Sequence, residues 1–65
     1  MDRQQRVAFI HAQAVCAEAE IAAMQAENTE RDRAGLSLAY GYGDFMAVQD
    51  RYMIGHNAVI DYLRD

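Results

Sequence analysis

Few side chains in this chain are of types that do chemistry, and their spacing argues against most of it. The two histidines, His11 and His56, would act as metal ligands or general bases if a carboxylate, thiol or imidazole stood at a ligating interval. No such interval occurs, and there is no Glu-x-x-His pair of the kind a di-iron carboxylate bundle needs. His11 and Glu18 share one helix face, which reads as a solvated polar line; in an antiparallel helix pair it would bring carboxylates together. The single cysteine, Cys16, lies among Ala12, Ala19 and Ala23, where a thiol behaves as a small apolar side chain. Ser37 has no local base, and Gly41-Tyr42-Gly43 lacks the strand-to-helix setting of a phosphate loop. These residues predict a non-enzyme with no cofactor and no metal.

Recognition is a better use of what is present. Tyr40 and Tyr42 stand beside glycines in a short linker, where they suit stacking on a base or contact with a partner protein. The other reading is an extended connection whose Leu36, Leu38, Tyr40 and Tyr42 lie back on the helices. Glu27 and Glu30 are the acids best placed to meet a cationic partner, together with Glu18, Glu20 and Asp32.

These residues need elements to hold them, and periodicity supplies the elements. Residues 3 to about 33 predict one long helix: alanine is abundant, the chain has no proline, and no glycine interrupts before Gly35. Gly35 sits where a helix end adopts a left-handed residue. Residues 34–43 form a Gly/Tyr hinge, and Asp44 is placed to N-cap a helical part over 44–64. Met53–Asn57 leaves two alternatives open. Either Gly55 lies inside one long helix, or it opens a turn after which His56 or Asn57 caps a third helix. The expected fold is all-α, one single domain over 1–65 that folds back on itself.

The first helix carries two opposed apolar stripes. Val7, Ile10, Ala14, Ala17, Ile21 and Met24 recur as an a/d seam, while Ala8, Ala12, Val15, Ala19, Ala22 and Ala26 follow the same rhythm on the other side. A chain of 65 residues does not bury both, because one small core rarely supplies more than about 3–5 kcal/mol without staples or oligomerisation. One stripe therefore packs within the chain and the other joins a homodimer or higher oligomer. The first stripe, rich in Ile and Met, is the expected subunit interface. Asn28 falls on an a position, where it either sets coiled-coil register or ends the buried seam.

Composition narrows the setting. Net charge is −4, and every basic side chain other than histidine is arginine. Neither half is basic, so the footprint of phosphate-backbone binding is missing and nucleic acid is an unlikely partner. With one cysteine no intrachain disulfide forms, consistent with a reducing cytoplasm. Polar residues Asp2–Arg6 follow Met1 where a signal peptide would turn apolar. No uninterrupted run approaches the ~18 apolar residues of a membrane span, so no membrane association is expected.

Residues 45–64 resemble a helix-turn-helix unit. Val48 takes the place of the buried aliphatic in its first helix, Tyr52 and Ile54 flank the turn, and Gly55-His56-Asn57-Ala58-Val59 resembles the usual entry into the second helix. Val59, Tyr62 and Leu63 match its core positions, while Gln49 and Met53 replace the customary alanine and glycine. The resemblance implies a groove-facing set of His56, Asn57, Ile60, Asp61 and Arg64, which has a single arginine for phosphates and guanine edges. In overall character the chain is similar to the small accessory proteins of bacteriophages and prophages. That likeness implies a non-enzymatic inhibitor that binds a host defence protein as a homo-oligomer in the bacterial cytoplasm. Three other expectations stand beside it: an oligomeric sponge for a nucleotide signal, a helix-turn-helix DNA-binding regulator, and a structural or assembly subunit.

Overall fold

A computed structural model describes residues 1–64. It is all-helical, with α1 over Arg3–Arg33, α2 over Tyr42–Tyr52 and α3 over His56–Leu63. Alanine-rich sequence without Gly or Pro carries α1 for 31 residues. Its start is a reciprocal capping box: Gln5 N–H donates to Asp2 Oδ1 at 2.8 Å, and Asp2 N–H donates to Gln5 Oε1 at 2.9 Å. Its end is a Schellman turn. Gly35 takes φ 74°, its N–H donates to Asp32 O, and Leu36 N–H reaches Arg31 O at 2.8 Å.

The C-terminal part bends into two helices at Met53–Gly55. The α2 end repeats the Schellman pattern, with Met53 N–H on Asp50 O and Ile54 N–H on Gln49 O. Here the left-handed residue is Met53 itself, at φ 57°. Both α2 and α3 lie along α1 and not on each other. In a helix-turn-helix unit the two helices pack together, so the arrangement here is a helical hairpin with a bent return arm. Tyr40 pairs with Asn28, Tyr52 with Gln13 and Leu63 with Arg3; the return arm thus runs antiparallel to α1 along its whole length. The molecule measures 50 × 17 × 11 Å.

Its core is small. Ala17, Met24 and Val48 are buried, with Ile21, Tyr40, Phe45, Tyr52 and Ile54 packed around them. Further along, the Phe9 and Tyr62 rings stack with centroids 5.8 Å apart.

Several expectations are corrected by this packing. The stripe expected to join subunits is the one that α2 and α3 cover: Ala17 and Met24 are buried, Ile10, Ala14 and Ile21 are half-buried, and Val7 alone is exposed. A side chain covered by its own chain offers no surface to a second copy. The alanine stripe is the one left bare. Helix α2 starts at Tyr42 with Gly41 as N-cap, two residues before the expected boundary. Asp44 works from inside the first turn, where its Oδ2 accepts the Gly41 N–H at 2.9 Å. Gly55, and not His56 or Asn57, stands at the N-cap of α3, with no side-chain cap bond. Leu36 and Leu38 are exposed and do not lie back on the helices. The packing does not bear on one expectation, that of no membrane association: α1 is long and apolar enough, by length and composition, to cross a membrane, with an 18-residue window of mean hydropathy 1.3, a test that the core helix of a soluble protein also passes. Valine, isoleucine and phenylalanine together with alanine outweigh the scattered polar residues in that average, which a count of uninterrupted runs does not register.

Candidate functional site

The concave surface lies where α2 departs from α1. Its position follows from the hinge, which is tied down at three points. Asn28 Nδ2 donates to Tyr40 O at 2.9 Å, and its Oδ1 accepts the N–H groups of Ala39 and Tyr40, both at 3.0 Å. Arg31 Nε donates to Ser37 O at 2.8 Å. Asn28 occupies a seam position, so its amide points at the returning chain and substitutes for the backbone partners that an irregular segment lacks.

Below this clamp, the α1–α2 groove has a volume of about 480 Å³. Ala23, Met24 and Ala47 form an apolar floor beside the Tyr40 ring, and Glu20, Glu27, Asp44 and Arg51 line the polar rim. Arg51 is committed to an ion pair with Glu20. Glu27 leans 3.7 Å from Arg31 at i,i+4 spacing, a weak exposed pair worth at most about 0.5 kcal/mol. Three carboxylates against one rim guanidinium leave the groove net negative, which suits a cationic group.

Glu20 has a second effect next to the groove. Its carboxylate, beside the Tyr52 hydroxyl, favours the protonated phenol and, with partial desolvation, holds the Tyr52 pKa above the usual 10.0. Among the described residues, no three of His, Cys, Asp and Glu converge as a metal site.

The residues singled out in the sequence are dispersed by the fold. Tyr40 and Glu27 come together at the groove. Tyr42, 81 % exposed, stands in solvent at the first residue of α2. Glu30 is exposed outside the groove, and His56 and Asn57 are exposed at the start of α3. Sequence reasoning missed the roles of Asn28, Asp44 and Arg51. The one signal available was Asn28 itself, a polar residue on an otherwise apolar seam just before a glycine hinge. No family model matches the chain, and comparison with curated proteins and with solved structures finds no significant relative.

Proposed function

We propose that this chain is a small acidic binding protein that works without catalysis, self-associated as a homo-oligomer, by occupying a cationic surface of another protein. The observation that carries the reading is the groove, where Glu20, Glu27 and Asp44 from two helices surround an apolar floor and the Tyr40 ring. Such a cleft accepts an arginine or lysine side chain: the stem lies on Met24 and the ring, and the charge meets carboxylates. The same carboxylates oppose a phosphate, so a protein partner fits better than a nucleotide signal or DNA. Net charge −4 adds a long-range preference of the same sign.

Self-association is supported by the meagre core of Ala17, Met24 and Val48. The general character of a short, acidic, chemistry-free chain extends the proposal to a phage-type inhibitor that blocks a host defence factor in the bacterial cytoplasm.

The test is capture of a partner from bacterial lysate by the tagged chain and by two charge-reversed variants. Glu27→Lys changes the groove, and Glu30→Lys changes exposed charge outside it. A partner held by the wild type and by Glu30→Lys but lost with Glu27→Lys supports the reading. Equal capture by all three overturns it.

A further inference from the structure

Among the described residues, one face of α1 has no partner. Ala8, Ala12, Val15, Ala19, Ala22 and Ala26 are exposed, on the side turned away from Ala17 and Met24. The accessible surface of the molecule is 4943 Å², whereas a compact monomer of 7.3 kDa exposes about 4,200 Å². The surplus over the whole elongated molecule is on the order of 800 Å², of the same size as one side of a standard protein interface. Shape gives the same answer. The radius of gyration is 15.0 Å, against about 11 Å for a compact domain of this length.

The spacing of the face admits a second copy of the same face. Its residues are spaced 4-3-4-3-4 and read the same from either end. Two copies laid antiparallel therefore set Ala8 against Ala26, Ala12 against Ala22 and Val15 against Ala19, about an axis level with Ala17. The outer layers pair alanines and the central ones set Val15 against Ala19, so the helices can approach closely toward their ends and bury the valines near the axis. At each end Gln4 comes level with Glu30 of a second copy, an amide against a carboxylate, and the helix dipoles oppose. A parallel pair would set Glu30 on Glu30 and align the dipoles, while in either direction the flanking Glu18 carboxylates of the two copies come near each other at the middle of the pair.

We infer that the chain forms an antiparallel homodimer through this face of α1, leaving both acidic grooves open on the outside. The inference rests on the self-association proposed above and adds to it the face, the direction and the register.

Two measurements separate the claims. Native mass spectrometry of the unmodified chain should give twice 7.3 kDa; a monomer overturns self-association and the inference together. The second uses Cys16→Ser chains carrying either Ala8→Cys or Ala26→Cys, positions exposed in the fold, with helicity checked by circular dichroism. In a glutathione redox buffer, the mixture of the two should form a disulfide-linked pair, while neither alone does so. Cross-linking of each variant alone, without the mixed product, means a parallel pair and overturns the direction. A dimeric mass with no cross-link in either experiment places the contact elsewhere, overturning the inference while self-association stands.

Discussion

Asn28 grips Tyr40 by both of its backbone groups, donating to the carbonyl at 2.9 Å and accepting the N–H at 3.0 Å. One side chain on α1 thereby sets where the hinge ends and in which direction α2 leaves. That direction lays Val48 over Ala17 and Met24 and opens the acidic groove beside Tyr40.

Replacing Asn28 with alanine removes these bonds and the one to Ala39. The expected cost is about 1–3 kcal/mol, since the hinge amides lose a partner that water replaces only in part. Urea denaturation gives the magnitude, and amide exchange at Ala39 and Tyr40 gives the location. Unchanged protection of those two amides would mean the clamp does not hold the hinge.

Met53 closes α2 with a left-handed backbone, φ 57°, where a side chain costs about 1–2 kcal/mol that glycine avoids. Glycine loses more freedom on folding, which offsets part of the gain. Met53→Gly should stabilise the chain by about 1 kcal/mol, read as a higher urea midpoint with an unchanged slope. A lower midpoint would show that the exposed Met53 side chain contributes more than the turn costs.

Val48 is the largest fully buried side chain. Val48→Ala should cost about 2 kcal/mol from lost transfer and the space left behind. In so small a core this is a large share of total stability, so helicity by circular dichroism should fall well below wild type at 37 °C. Leu38→Ala, at an exposed hinge position, is the control and should leave the melting curve in place.

Tyr52 titrates above its usual 10.0, chiefly through the neighbouring Glu20 carboxylate. A raised folded pKa means folding favours the protonated phenol. The contribution to stability is complete below pH 10 and is lost as pH rises through the folded value. The phenolate absorbance of Tyr52, obtained by subtracting the titration of Tyr52→Phe, should therefore appear at higher pH than that of a free tyrosine. Glu20→Gln should move it back toward 10.0; no movement would remove Glu20 as the cause.

Much of the architecture was legible because it rests on local rules. The span of α1 follows from alanine content and the absence of early Gly or Pro, and Gly35 marks its end as a left-handed cap should. The Met53–Gly55 bend was visible only as an ambiguity, since it is made by a methionine in a conformation that residue type disfavours. The groove was half legible: Tyr40 and Glu27 were singled out, whereas Asp44 and Arg51 come to it from α2 and share no spacing with either.

By itself the sequence determined an all-helical chain with two opposed apolar stripes on its first helix, because a 3.6-residue period assigns side chains to faces. It did not determine which stripe is the core. The Ile- and Met-bearing stripe looked equally fit for a second subunit, and the period treats both stripes alike. Tertiary structure decided the matter through the hinge: the Gly35 turn and the Asn28–Tyr40 clamp aim α2 and α3 at Ala17 and Met24 and leave Ala8–Ala26 bare. Contacts between residues far apart in the chain make that choice, and the helical period carries no information about them.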